Sequence, residues 1–291
     1  MQYPALSVTG ADGELVLAVA DDHSPTAAEQ SGDSITIFFR DASARDAAHQ
    51  AIAAVFPRAA IAAREVDDED WARRSQENLQ PIAVGRLIIC PSLRDLRALR
   101  SSPQPPGSSL LTIIIQPSMG FGTGHHATTR LCLLALQREE LAGRSVLDIG
   151  TGSGILAIAA ACLGAARAVG IDHDPDAIHA ARGNLMLNPD AAGVAFEVAD
   201  LADLTVGLKA DTTTATVTAD VVVANLTGAL LAREARRMLA AVRPGGRLIV
   251  SGLLAAEHDQ VIAAFHPAEI LWESREDEWV VLTFGAPNVL P

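Results

Sequence analysis

The run Ser145–Asp172, SVLDIGTGSGILAIAAACLGAARAVGID, places two carboxylates and three glycines where they could hold a ligand. An apolar, β-branched stretch ends near Asp148. A turn follows with Gly150, Gly152 and Gly154, then a helix of small residues, then a second apolar stretch closed by Asp172. Strand, glycine turn, helix, strand and acid, in that order, form a mononucleotide-binding half of a doubly wound sheet. Glycines suit such a turn because the ligand must approach the backbone where a Cβ would collide. A dinucleotide site places a third glycine three residues after the second, but Ile155 stands there. Asp148 beside the turn would repel a pyrophosphate, whereas it tolerates a cationic ligand without phosphate.

GxGxG after a strand-end acid is the spacing found in S-adenosylmethionine (AdoMet) methyltransferases, and it favours AdoMet over a nicotinamide cofactor. A second chemical stretch precedes it. In Pro117–Thr129, PSMGFGTGHHATT, Gly122 and Gly124 flank Thr123, then come His125 and His126, and Thr128 and Thr129 start an apolar helix. The threonine pair is expected to cap that helix, and the glycine-rich segment to fold over the cofactor. Asp200 follows the strand pattern Val194–Val198, where a carboxylate can accept from an exocyclic amine such as that of adenine. Asn225 ends the wholly apolar strand VVVA, at the strand end where open α/β sheets bind ligands.

The elements that must position these groups follow in order. Ser34–Arg40 reads as a strand, Ser43–Phe56 as an amphipathic helix and Ala59–Glu65 as a returning strand. With the apolar run Leu15–Ala20 they predict a small α+β unit, and EQSGDS (Glu29–Ser34) reads as a polar turn. Val66–Arg74 carries acids at a helix start and places Trp71 on a linker helix. Ile82–Cys90 reads as one strand stopped by Pro91, and SSPQPPGSS (Ser101–Ser109) as a surface loop. Downstream, the pattern predicts a helix from Pro175 to Asn188, a loop over Leu208–Asp220 that holds the single lysine, Lys209, and a helix from Thr227 to Val242. A turn at Pro244–Gly246, a strand to Ser251, a helix from Glu257 to Phe265 and a hairpin within Ile270–Phe284 complete the chain.

The 291 residues are 49% hydrophobic with a net charge of −13, room for about two domains. Nucleic-acid binders draw affinity from basic side chains, so the acidity favours a protein or small-molecule partner. Three scattered cysteines without a CxxC pair predict neither a disulfide framework nor a metal site. No membrane span or leader pattern is apparent, and the expected location is the cytoplasm.

Several segments together resemble the ribosomal protein L11 methyltransferase (PrmA) family, within the class I AdoMet-dependent methyltransferases. They are GFGTGHHATTRLCL, VLDIGTGSGILAIAAACLGA, GIDHDPDAIHAARGNLMLN, ADVVVANL, RPGGRLIVSGLL and EDEW, in order from Pro117 to Trp279. The resemblance implies an α/β fold: a doubly wound class I sheet, mostly parallel with an antiparallel C-terminal hairpin, and a small α+β N-terminal domain. The expected divisions are residues 1–65 for substrate recognition, 66–105 as linker helix and strand, and 106–291 as the AdoMet-dependent methyltransferase domain. It implies cofactor contacts at Thr129, Gly150, Asp172 and Asn225, with Asp172 accepting both ribose hydroxyls. Phe121, Gly122, Thr123, Asp148, Gly152 and Asp200 complete the expected cofactor set. Phe121 packs against cofactor or acceptor in this reading, and Asn225 orients the methyl acceptor. His126 is expected to be structural, with His125 the candidate base. The implied reaction is N-methylation of lysine side chains or an α-amino group of a large-subunit ribosomal protein. A methyltransferase for another protein or a small amine, and an AdoMet-binding module without turnover, remain the alternatives.

Overall fold

The computed structural model describes residues 2–21, 23, 25–32, 34–67, 79–101, 110–116, 124–201 and 218–286. They divide into two compact units with the boundary between Leu79 and Gln80, so the stretch read as linker, 66–105, contributes to both.

The smaller unit holds an antiparallel sheet in the order β2-β3-β1-β4, built from β1 (Gln2–Thr9), β2 (Pro25–Ser31), β3 (Ser34–Phe39) and β4 (Ala60–Asp67). Helices α1 (Gly13–Asp21) and α2 (Ala42–Val55) cover one face, burying Val16, Ala20, Ala48 and Ile52 against Leu6, Val8, Ile37 and Phe39. Asp41 caps α2 by accepting from Ala44 N at 2.9 Å. Strand β3, helix α2 and strand β4 stand where the hydrophobic periods place them. Two expectations change. Glu29–Ser31, read as a turn, continue β2, because pairing with β3 supplies backbone partners that local sequence does not advertise. Val66 and Asp67, read as a helix start, pair with Tyr3 and Gln2 in β4. Trp71 and the acids beside it lie outside the described residues.

The larger unit contains a seven-stranded sheet in the order β10-β9-β8-β11-β12-β14-β13. Its strands are β8 (Ser145–Ile149), β9 (Arg167–Asp172), β10 (Val194–Val198), β11 (Ala219–Asn225), β12 (Val242–Leu254), β13 (Glu269–Glu276) and β14 (Trp279–Gly285). Only β14 runs against the others, pairing antiparallel with β12 and β13. Alternation along β11 shows why its core is apolar throughout. Val221 and Val223 join one hydrophobic cluster and Val222 and Ala224 the other, so both faces are buried. The first cluster includes side chains of α4 (Ala127–Leu136), α5 (Ile155–Cys162) and α6 (Pro175–Met186). The second includes side chains of α7 (Gly228–Ala240) and α8 (His258–Ala264).

A three-stranded sheet, β5 (Ile82–Val84), β6 (Leu87–Cys90) and β7 (Leu111–Ile114), completes this unit, with α3 (Leu93–Ser101) between β6 and β7. Ile82–Cys90 is therefore a hairpin and not one strand. Gly85 and Arg86 make the turn, held by the Gln137 carboxamide, which accepts from Arg86 N at 2.8 Å and donates to Val84 O at 2.9 Å. Pro244–Gly246, expected as a turn, falls within β12 as an irregularity: Val242 pairs with Ala219 and pairing resumes at Arg247 opposite Val221. The stretches 102–109 and 202–217, including Lys209, lie outside the described residues. Among the described residues no helix is long and apolar enough to cross a membrane.

At the end of the central strands opposite the glycine turn, Asp220 joins the starts of β8 and β11. Burial works to raise its pKa, but hydrogen bonds from Ser145 N (2.8 Å), Ser145 Oγ (2.7 Å) and Arg243 win and hold it at about 2. Its folded pKa is depressed, so its contribution is complete above the ordinary aspartate value near 4 and fades as pH falls toward 2. Asp220→Ala is expected to cost about 1–2 kcal/mol at pH 7, after allowance for solvent at a partly exposed pair. Urea melts should show the variant and the parent converging in stability between pH 4 and pH 2.

Candidate functional site

In an open doubly wound sheet the ligand crevice opens where the chain reverses its direction of strand addition. Here β8, β9 and β10 extend one way and β11, β12 the other, so the crevice lies at the carboxyl ends of β8 and β11. Asp148 and Gly150 come from the first of these strands, Asn225 from the second.

Asp148 is fully buried. Its Oδ2 accepts from Thr151 Oγ1 at 2.6 Å and from Ala157 N at 3.2 Å, while Oδ1 has no hydrogen-bond partner. Burial pushes this carboxyl up to about 7, against those two hydrogen bonds and with help from the Asp172 charge. A buried acceptor left open in this way favours a cationic or donating ligand group. Gly150 has φ +71°, and a Cβ there would lie 2.5 Å from Leu226 Cδ2. The left-handed backbone conformation disfavours a side chain there, and the side chain of the residue following Asn225 fills the space instead. Asp172, at the end of β9, accepts from Gly152 N and Asp174 N, each at 3.0 Å. The turn and the carboxylate therefore hold each other in place. Asp200 is exposed just beyond β10, where Ala199 N donates to Asp172 O at 2.9 Å.

On the other wall, Asn225 Nδ2 donates to the buried Thr129 Oγ1 at 3.4 Å, joining the ends of β11 and α4. The cap of α4 differs from expectation. His126 Nδ1, not a threonine, accepts from Thr128 N at 3.3 Å. Burial, then the Arg130 charge, lower the His126 pKa against Glu278 and Glu276, which favours the neutral ring whose Nδ1 can accept; Thr128 Oγ1 also lies 2.8 Å from it. Trp279 packs edge-on against that ring at 4.9 Å between centroids. Arg130 forks onto Glu276, with Nε to Oε1 at 2.9 Å, and also donates to His125 O. His125 itself donates from Nε2 to Gln80 O at 2.9 Å.

Asp148, Gly150, Gly152, Asp172, Thr129 and Asn225 thus lie along one end of the sheet. Phe121, Gly122 and Thr123 lie outside the described residues. Pattern reading missed the supports: the Arg130–Glu276 pair, and Leu226 lodged between two glycines. At Gly252, φ +91°, a Cβ would meet Leu226 O at 2.3 Å, so a second irregularity of β12, between Ser251 and Leu253 in its pairing with β14, makes room for the backbone after Asn225. The only signal for these was the EDEW and SGLL segments within the family pattern.

The sequence profile of ribosomal protein L11 methyltransferase (PrmA) matches residues 2–286. The chain belongs to this family. A ribosomal protein L11 methyltransferase of Azotobacter vinelandii is 44% identical over 217 residues, 74% of this chain and 68% of the relative. One from Cupriavidus pinatubonensis is 39% identical over 229 residues, 78% and 69%. The crystal structure of a ribosomal protein L11 methylase from Lactobacillus delbrueckii subsp. bulgaricus superposes with a TM-score of 0.59 at 27% identity, covering 72% of this chain and all but 2% of the other. The chain is accordingly an AdoMet-dependent methyltransferase with the class I sheet. The residues fit that cofactor: a turn whose left-handed glycine backbone carries no Cβ, a buried carboxyl with one oxygen unpartnered, whose charge a cationic ligand would favour, and a second carboxylate one strand away.

Proposed function

We propose that this protein transfers methyl groups to amine nitrogens, lysine side chains or an α-amino group, of ribosomal protein L11. The observation that carries the reading is Asn225, set by Thr129 at the end of β11 and across the crevice from the Asp148 turn. Bound AdoMet supplies a methyl on a sulfonium leaving group, already activated for displacement. Asp172 is assigned to the ribose hydroxyls, as a carboxylate accepts two O–H donors. Asp148, fully enclosed behind the turn, is assigned to the cationic cofactor through its charge and not through direct contact, and Gly150 and Gly152 to close backbone approach. Phe121, Gly122, Thr123 and Asp200 are assigned to the remaining cofactor surface.

What this chain must do for the chemistry is align and dehydrate. Asn225 holds the acceptor nitrogen through its carbonyl oxygen, and desolvation lowers the amine pKa so that the neutral form attacks. His126 is assigned to capping α4. His125, whose ring hydrogen-bonds a main-chain carbonyl, is assigned to loop support in place of the general base expected at first. We assign recognition of the acceptor protein to the N-terminal α+β unit, with protein and not nucleic acid as the docking partner in view of the net charge of −13. The reaction is placed in the cytoplasm.

Labelled AdoMet incubated with ribosomes lacking this methylation should label one ribosomal protein, L11. Label on another protein or on a metabolite alone would overturn the substrate assignment, and calorimetric binding without any turnover would favour the non-catalytic module. Asn225→Ala should lower kcat about 100-fold while AdoMet affinity changes less than about 5-fold, the pattern of an interaction made mainly in the transition state.

A further inference from the structure

Strand β7 is an edge of its sheet, yet at Ile114 and at Gln116 just beyond it backbone groups on the outer side are satisfied. Along β7, Leu111 N and Ile115 N donate toward β6, to Arg86 O and Cys90 O, each at 2.9 Å. Ile114 and Gln116 point the other way and meet side chains instead of a strand. Asn188 Oδ1 accepts from Ile114 N at 2.8 Å and its Nδ2 donates to Ile114 O at 2.7 Å. One turn earlier, Asn184 Oδ1 accepts from Gln116 N at 2.9 Å. Two carboxamides at the end of α6 thus imitate a neighbouring strand. They are not equivalent. The second donor of Asn188 is spent on Asn184 O, on its own helix, at 2.7 Å. The donor of Asn184 reaches Ser153 O at 2.9 Å, inside the glycine turn. Both side chains are buried, so each lost bond strands a main-chain group away from water.

We propose that Asn184 is a positioning residue that couples the occupancy of the glycine turn to the backbone leaving β7, whereas Asn188 only anchors the strand. The path is continuous and short: Ser153 O, the Asn184 carboxamide, Gln116 N. A cofactor held by Asp148, Asp172 and the turn fixes Ser153 O, which fixes the carboxamide plane, which fixes the chain at Gln116. The inference rests on the reading of this crevice as the AdoMet site.

Asn184→Asp separates the two halves of the link. It is isosteric and keeps an acceptor for Gln116 N, but it sets a carboxylate oxygen against Ser153 O. Hydrogen–deuterium exchange over 110–116, with and without about 1 mM AdoMet, is the direct readout. In the unaltered protein, AdoMet should slow exchange at Gln116 roughly tenfold. In Asn184→Asp that slowing should vanish, and KM for AdoMet should rise about tenfold with kcat at saturation within about 3-fold. Asn188→Ala should melt at a lower temperature, yet keep the AdoMet-linked slowing and the AdoMet KM. A protein that binds AdoMet without slowing at Gln116, an Asn184→Asp variant with unaltered KM and slowing, or Asn184 and Asn188 variants that behave alike would each overturn the coupling. Failure of the unaltered protein to bind AdoMet would defeat the underlying reading instead, and calorimetry on the same sample distinguishes that outcome.

Discussion

Asp172→Ala is expected to weaken AdoMet binding by about 100-fold or more. Two effects add. The hydrogen bonds assigned above from two ribose hydroxyls to this carboxylate, charge-assisted and each worth about 1.5–3 kcal/mol, would be lost. The substitution also releases Gly152 N and Asp174 N, which Asp172 holds at 3.0 Å, so the turn loses its brace. Asp172→Asn separates the terms, since the carboxamide retains an acceptor but loses the charge and half of the accepting capacity. It should fall between the parent and the alanine variant in calorimetric titrations. An alanine variant with unaltered affinity and unaltered melting temperature would remove the end of β9 from the cofactor site.

Asp148 is the second position of large expected effect, and pH reads it. Its folded pKa of about 7 stands above the ordinary aspartate value near 4. The folded protein without ligand therefore holds a proton that the unfolded chain releases. Stability from this group is retained at low pH and falls as pH rises between about 4 and 7, by roughly 4 kcal/mol as an upper figure. A bound cation reverses the balance by favouring the carboxylate, so AdoMet affinity should increase through pH 7. Asp148→Asn should remove both trends. At pH 8 the ligand-free variant should be more stable than the parent by about 2 kcal/mol, because the ionised group is gone while an acceptor remains for Thr151 and Ala157. AdoMet affinity at that pH should drop about 10–100-fold. Chemical denaturation and calorimetry at pH 5.5 and pH 8 check both signs, and a pH-independent parent would contradict the buried, uncompensated state of Oδ1.

The stabilising of one site and the weakening of another come from the same arrangement. A carboxylate held dry beside a glycine turn is costly for the empty protein and useful for a cationic ligand. Residues that support the crevice work differently. Leu226 lies between Gly150 and Gly252, and Arg130 ties the start of α4 to Glu276 on the terminal hairpin. These contacts align walls that come from distant parts of the chain.

Much of this was legible in local pattern. The apolar stretches ending at Asp148, Asp172 and Asn225, the glycine spacing between the first two and the absence of a third dinucleotide glycine favoured a doubly wound sheet binding AdoMet over a nicotinamide cofactor, and the resemblance of the longer segments added the class I methyltransferase family. Each is a short-range property: a strand period, a turn that rejects Cβ, an acid at a strand end. Reading failed where the decisive partner is remote. Glu29–Ser31 are strand because β3 lies beside them, and Ile82–Cys90 folds back because Gln137, on another element, seats its turn. His126 caps α4 in place of the threonines, and burial with Arg130 favours the neutral imidazole that can accept. Residue types and their order thus determined the ligand class and the strand ends that meet it. Tertiary structure alone decided which acid is dry, which side chain caps, and which carboxamide joins β7 to the turn, because desolvation and long-range hydrogen bonds exist only once the elements have packed.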